Sequence, residues 1–138
     1  MCRKLVIIYS PNDTAGALIE AMIAGFGAEI IRVGSVEELL GVIRLGIPRL
    51  IIILDIAPLI NGFDIATLLR KITTKALHST SHIRSAIYVI TWQQDEQSVL
   101  SLLESGIDQY LTFPICIDRL RNKVCEQILG RRDNYGDD

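Results

Sequence analysis

The chain has 138 residues, of which 49% are hydrophobic and 22% are charged, and its formal net charge at pH 7 is −2. This length and composition are typical of one globular domain and exclude an intrinsically disordered chain. Because 14 basic residues stand against 16 acidic ones, we expect no direct binding to nucleic acid or to a membrane surface.

Nothing in the sequence indicates export or membrane insertion. The wholly apolar run Leu50–Leu54 is far shorter than the roughly 20 residues that cross a bilayer, and we expect no signal peptide. The three cysteines are far apart and form no CxxC pair, which disfavours a disulfide framework or a thiolate zinc site. These features predict a cytoplasmic protein.

Short apolar runs alternate along the chain with segments of helical spacing. The predicted strands are Leu5–Ile8, Glu29–Val33, Leu50–Leu54, Ala86–Ile90 and Gln109–Thr112. Helices are predicted after the turn residues 11–14, from Ser35, over Phe63–Ile72, over Ser98–Glu104 and over Ile117–Leu129. The third strand is apolar at every position, as a strand covered by helices on both faces must be.

The first two predicted helices carry end signals and apolar faces. The residues predicted to face the core from the first helix are Ala17, Leu18, Ala21, Met22 and Phe26, with Gly25 and Gly27 ending the helix. In the second helix, Ser35 and Glu38 are predicted to form a capping box. Its apolar side is predicted to hold Leu39, Leu40 and Ile43, and its end is set by Pro48.

Five strands alternating with five helices predict an α/β protein with a three-layer, flavodoxin-like, doubly wound sheet. The common order for five parallel strands of this kind is 2-1-3-4-5. We predict one domain over residues 1–130, with an exposed polar loop at 78–82 and a frayed tail at 131–138.

In such a sheet, ligands bind beyond the carboxyl ends of the strands. The residues predicted to lie there are Tyr9, Ser10, Asp55, Thr91, Trp92 and Phe113. Asp55 is the most informative, because a carboxylate directly after a buried apolar strand lies at the sheet edge and is partly desolvated. The pattern alone leaves two interpretations open: a carboxylate that caps a helix or loop, or a functional group.

Three segments carry a family resemblance, and together they span most of the chain. They are Ile51–Ile56 with the following Pro58 and Gly62, then Ile90–Thr91, and then Gly106–Pro114. In this order and spacing they resemble the CheY-like receiver domain of response regulators, the phosphoacceptor module of two-component signalling. The resemblance covers about residues 4–129. It implies that Asp55 is the phosphoacceptor and that Thr91 and Tyr110 are switch residues.

The chemistry of the family's site is only partly present. The resemblance implies two acidic residues at the end of the first strand, which hold Mg²⁺ together with the phosphoacceptor, but this chain has Tyr9 and Ser10 there. It also implies a lysine where Phe113 stands and a small residue where Trp92 stands. Since Mg²⁺ takes its protein ligands mainly from carboxylates, Asp55 is the only candidate ligand, and we expect no metal and no other cofactor.

Asp13 is a second carboxylate close to this end of the sheet in sequence, three residues past Ser10. We predict that it caps the first helix and is not a displaced metal ligand.

These departures favour a degenerate receiver, or pseudo-receiver. It would have no catalytic residues, would not be an enzyme, and would act in two-component or phosphorelay signalling through protein–protein contacts. Its partner would be a histidine kinase or another signalling protein, or a second copy bound through the face of the fourth helix, fifth strand and fifth helix. Two alternatives stay open. One is a phosphoacceptor regulator phosphorylated on Asp55 despite a degenerate metal site, the only case in which we expect Mg²⁺. The other is a flavodoxin-like enzyme or nucleotide binder that shares only the fold.

Overall fold

The computed structural model describes residues 4–46, 48–54, 85–91, 100, 104, 107–112 and 114–130. Its strands are β1 (Leu5–Tyr9), β2 (Glu29–Val33), β3 (Leu50–Leu54), β4 (Ala86–Thr91) and β5 (Gln109–Thr112). Its helices are α1 (Asp13–Met22), α2 (Val36–Leu45) and α3 (Ile117–Leu129), the last being the fifth predicted helix.

Several predicted elements cannot be compared with this structure. The third predicted helix, the loop at 78–82 and the tail at 131–138 lie outside the described residues, as does most of the fourth predicted helix. Leu100 and Glu104 are described from that fourth segment, and both are helical.

The five strands form one parallel sheet in the order β2-β1-β3-β4-β5, as the sequence predicted. β1 and β4 each run one residue further than predicted, through Tyr9 and Thr91. The reason is that the ladders continue, since Tyr9 pairs with Val33 and Ile53, and Thr91 pairs with Thr112. Among the described residues, no helix is long and apolar enough to span a membrane.

Helices cover both faces of the sheet, and each face has its own apolar core. On one face, Leu39 and Ile43 of α2 pack with the odd-numbered side chains of β1 and β3. On the other face, α1 and α3 pack with the even-numbered ones, through Ile19 and Leu120 among others. All five residues of β3 are fully buried, which confirms a central strand covered on both sides.

The predicted inward face of α1 was wrong. Ala17, Leu18 and Ala21 are exposed, and the buried positions of the helix are Gly16 and Ile19. The prediction failed because α1 is apolar on nearly every side, so a periodicity of three and four fits two faces about equally well. In the structure, Gly16 and Ile19 are the positions of α1 that lie against the sheet.

The remaining residues of that prediction lie at the end of the helix. Met22 and Phe26 are half-buried against the α1–α3 core. α1 ends at Met22 with Ile23 as its C-cap, so Gly25 and Gly27 belong to the following loop and do not end the helix. Both glycines adopt positive φ, at 100° and 75°.

At the N-terminus of α2, Ser35 is the cap residue as predicted, but the hydrogen-bond partner of the Glu38 carboxylate differs from the prediction. Ser35 Oγ accepts a hydrogen bond from the Glu38 amide at 3.2 Å. The Glu38 carboxylate accepts from the amide of Gly34 at 2.9 Å, one residue before the cap, where a capping box would use the amide of Ser35 itself. Leu39 and Ile43 are buried as predicted, Leu40 is half-buried, and the helix ends before Pro48.

Candidate functional site

Tyr9 is the last residue of β1, and its side chain belongs to the core. It is 3% exposed and shares an apolar cluster with Val33, Leu39 and Ile53 on the α2 side of the sheet. Burial raises the pKa of the Tyr9 phenol above its ordinary value, so the side chain is neutral at physiological pH. Where the receiver resemblance implies an acid, this position therefore holds a packed, uncharged aromatic.

Ser10 follows β1 and faces the opposite side, toward α1. A Cβ placed on Gly16 would lie 3.6 Å from the Ser10 Cβ. The Ser10 hydroxyl donates to the carbonyl of Asn12 at 2.7 Å and accepts from the amide of Asn12 at 3.1 Å. The Ser10 amide donates to the carbonyl of Val33 at 3.0 Å. The hydroxyl is thus committed to a local turn that leads the chain from the sheet into α1.

Asn12, and not Asp13, caps α1. Its side-chain oxygen accepts from the amide of Ala15 at 3.1 Å, and its backbone is extended, as expected at an N-cap. The prediction that Asp13 caps the helix was wrong, because Asp13 is already the first helical residue. Asn12 and Asp13 are both good capping residues, and the backbone conformation that distinguishes them leaves no trace in the sequence.

Asp13 is paired with Arg32, which lies 19 positions away in sequence, so no local pattern predicts the contact. Arg32 lies on β2, and its Nη1 is 3.2 Å from Asp13 Oδ1, while its Nε is 3.0 Å from Glu20 Oε1. The same Nη1 donates to the backbone carbonyl of Asp13 at 3.2 Å. These ion pairs are exposed and contribute little to stability, but they place a cation beside both carboxylates.

The described residues after β1 do not fit a magnesium site. Mg²⁺ requires oxygen ligands in near-octahedral geometry and is usually anchored by one or two carboxylates. Tyr9 offers a neutral phenol inside the core, Ser10 a hydroxyl used in a turn, and Asp13 a carboxylate held by Arg32. Among the residues that the structure describes, no three His, Cys, Asp or Glu side chains are grouped so that they could hold a metal ion.

The other strand ends are described only in part. Asp55 directly follows Leu54 in sequence, but Asp55 itself lies outside the described residues, as do Trp92 and Phe113. Thr91 ends β4 and lies beside Thr112 of β5. The sheet order therefore places the ends of β1, β3 and β4 next to one another, which is the juxtaposition that the sequence predicted.

Tyr110, the second predicted switch residue, pairs with Val89 in the second of the four residue pairs of the β4–β5 ladder. It is half-buried and packs against the α2-side core. This is the environment of a strand aromatic at the border of a core, and it neither requires nor prevents movement of the ring.

Solved structures with the same architecture are numerous. A two-component response regulator from Clostridium difficile matches with a TM-score of 0.75 and 25% identity, covering 94% of this chain and 98% of its own. A putative response regulator from Chloroflexus aurantiacus matches with a TM-score of 0.72 and 26% identity, covering 94% of this chain and 100% of its own. The chain has the receiver fold of response regulators.

A more distant match extends the receiver fold to a protein solved with its partner. The receiver domain of Ssk1 from Saccharomyces cerevisiae, co-crystallised with the histidine phosphotransfer protein Ypd1, has a TM-score of 0.73 and 19% identity. The match covers 98% of this chain and 95% of that one. No protein-family sequence model matches the chain, so the receiver fold is seen here through structure and through the short motifs quoted above.

Proposed function

We propose that this protein is a receiver-like signalling module of a two-component or phosphorelay system that works without phosphorylation. It acts by protein–protein contact in the cytoplasm and has no catalytic activity of its own. The observation that carries the proposal is the pair of side chains at the end of β1, a core tyrosine and a turn serine, at the two positions where the family resemblance implies carboxylates.

The charge balance around the phosphoryl position supports the proposal. Phosphoryl transfer depends mostly on positioning and on fixed charges that stabilise the moving group. Tyr9 and Ser10 supply no anionic ligand for a divalent ion, and the sequence has Phe113 where the family resemblance implies a lysine. Losing one fixed donor of this kind costs on the order of 3 kcal/mol of transition-state stabilisation, and here both the metal anchors and the cation are replaced.

Exposed apolar side chains support contact with a partner. Leu100, in the fourth predicted helix, is 53% exposed and Ile117, at the start of α3, is 49% exposed. Both belong to elements of the face formed by the fourth predicted helix, β5 and α3, through which we propose that a histidine kinase, another signalling protein or a second copy binds. The yeast receiver solved with a histidine phosphotransfer protein is a precedent for the class of partner.

The test is the response to a phosphoryl mimic. Trp92 is the single tryptophan of the chain and directly follows Thr91, so its fluorescence reports on this end of the sheet. We expect beryllofluoride with Mg²⁺ to leave the emission unchanged in the wild type and in Asp55→Asn alike. An active response regulator treated in parallel shows that the reagent is competent. A saturable change in the wild type that Asp55→Asn abolishes would refute the proposal.

The second candidate function is a working phosphoacceptor, which the presence of Asp55 and Thr91 at the family's positions favours. In that case Asp55 accepts a phosphoryl group from a histidine kinase or phosphotransfer protein, with Mg²⁺ bound. The decisive measurement is labelled phosphate on the chain after incubation with a phosphorylated donor. Label that is base-labile and absent from Asp55→Asn would establish this function, and no label would support the first.

A further inference from the structure

The side chain of Arg121 connects α3 to the C-terminal end of α1, on the face of the sheet that these two helices cover. Arg121 of α3 donates through Nη1 to the carbonyl of Met22 at 2.7 Å and to the carbonyl of Ala24 at 2.9 Å. Its guanidinium carbon also lies 4.5 Å from the centroid of the Phe26 ring. The two hydrogen bonds connect residues 99 and 97 positions apart in the chain.

The segment that Arg121 reaches is a loop with two glycines at positive φ. Residues 23–28 connect α1 to the edge strand β2, and they contain Gly25 and Gly27, both at positive φ. Glycine adopts such backbone angles without strain, but it also gains more conformational freedom than any other residue when the segment is released. Met22 provides one of the last four carbonyls of α1, which have no partner within the helix.

We propose that Arg121 is a latch that holds the α1–β2 loop, residues 23–28, closed against α3, and that this loop opens as a local unit when the latch is released. The latch acts at three neighbouring points: the helix end at Met22, the loop carbonyl of Ala24 and the ring of Phe26. The rest of the sheet does not depend on it, because β1 and β3 are held by their own ladders and cores.

The chemistry of the latch is specific to arginine. A guanidinium presents several N–H donors in a flat, rigid arrangement, so it can bond two carbonyls while its face lies over an aromatic ring. A lysine at the same position keeps the positive charge near the C-terminal end of α1, where it is favourable. It is a point charge without the flat surface, however, and so we expect it to restore only part of the closure.

The test is hydrogen–deuterium exchange on the full chain, measured by mass spectrometry, for the wild type, Arg121→Met, Arg121→Lys and Arg119→Met. Arg119→Met is the matched control, because Arg119 lies on the same helix and is exposed. We expect amides in residues 22–28 to exchange about tenfold faster in Arg121→Met, as for a lost charge-assisted contact. The rate should be intermediate in Arg121→Lys and unchanged in Arg119→Met, and amides of α2 should not change in any variant.

Two results would overturn the latch. If residues 22–28 exchange at the wild-type rate in Arg121→Met, the contact does not hold the loop. If α2 accelerates as much as the loop does, Arg121 supports global stability and no local unit exists. Should Arg121→Met fail to fold, Arg121→Lys and Phe26→Leu decide the question, since each removes part of the latch: faster exchange confined to the loop supports it, and an unchanged loop refutes it.

Discussion

Tyr88 allows a quantitative prediction, because its hydroxyl forms a hydrogen bond that links β4 to α3. The side chain is 3% exposed and donates to the carbonyl of Lys123 at 2.9 Å. Since Lys123 lies inside α3, its carbonyl also accepts the ordinary helical hydrogen bond and is not left without a partner when the hydroxyl is removed. We therefore expect Tyr88→Phe to cost about 1 kcal/mol at pH 7, the net value of one neutral hydrogen bond.

The effect of Tyr88→Phe on the free energy of unfolding should change sign at high pH. Burial raises the pKa of Tyr88 well above its ordinary value, and the carboxylates of Glu126 and Asp108 raise it further. Above about pH 10 the unfolded chain releases the phenolic proton and the folded chain keeps it, so the unfolded state binds fewer protons and stability falls as pH rises. At pH 11 the wild type should have lost about 1.4 kcal/mol through this one group.

Tyr88→Phe has no phenol to ionise and escapes that loss. The difference in the free energy of unfolding between wild type and variant should therefore fall from about 1 kcal/mol at pH 7 to zero between about pH 10.5 and 11, and then reverse. Urea denaturation at a series of pH values measures it, and tyrosinate absorbance reports ionisation directly. A difference that stays at its pH 7 value up to pH 11 would contradict this prediction, because Tyr88 would then ionise as readily in the folded protein as in the unfolded chain.

Two further predictions concern helix and loop positions, both measured as the free energy of unfolding. Gly41→Ala in α2 should stabilise the protein by about 0.5–1 kcal/mol, because a Cβ there meets nothing within 4 Å. Gly25→Ala should instead destabilise it by about 1 kcal/mol or more, because Gly25 has a φ of 100°. Equal effects at the two sites would contradict this prediction. Ser35→Ala should cost about 1 kcal/mol through the lost bond to the Glu38 amide, and no measurable loss would show that water replaces the cap.

The strands were predictable because their short apolar runs fit a strand and are too short for a helix. β3 is five apolar residues between polar ones, too short for a helix and apolar on both faces, and the structure buries all of it. β2, β3 and β5 have the predicted bounds, and β1 and β4 differ by one residue. The alternation of such strands with helical segments was sufficient to predict the order of the sheet.

Helix orientation was predictable only where polar residues mark the outside. In α2, charged residues fix the exposed face, and Leu39 and Ile43 are buried as predicted. In α1, alanine and leucine lie on the outer face as well, so the pattern pointed to Leu18 while the structure buries Ile19. Which of the two faces is buried depends on how α1 packs against the sheet, and no pattern within the helix records that packing.

At the candidate site, the sequence located the residues but not their roles. It placed Tyr9, Ser10 and Thr91 at neighbouring strand ends, because the carboxyl ends of parallel strands share one edge. It could not show that the Ser10 hydroxyl closes a turn on Asn12, or that Arg32 reaches Asp13 from β2. Arg32 and Asp13 are 19 positions apart in sequence, and the Ser10–Asn12 bond depends on a turn conformation that the residue types alone do not determine.

The packing of Tyr9 makes an acidic residue at position 9 costly for the fold. An aspartate there would leave a space the size of a phenol among Val33, Leu39 and Ile53, and would bring an ionised group against those apolar side chains. Single substitutions toward an acidic residue would thus weaken the fold before any ligand repaid the loss. An anion at position 9 therefore requires that the neighbouring core be rebuilt at the same time.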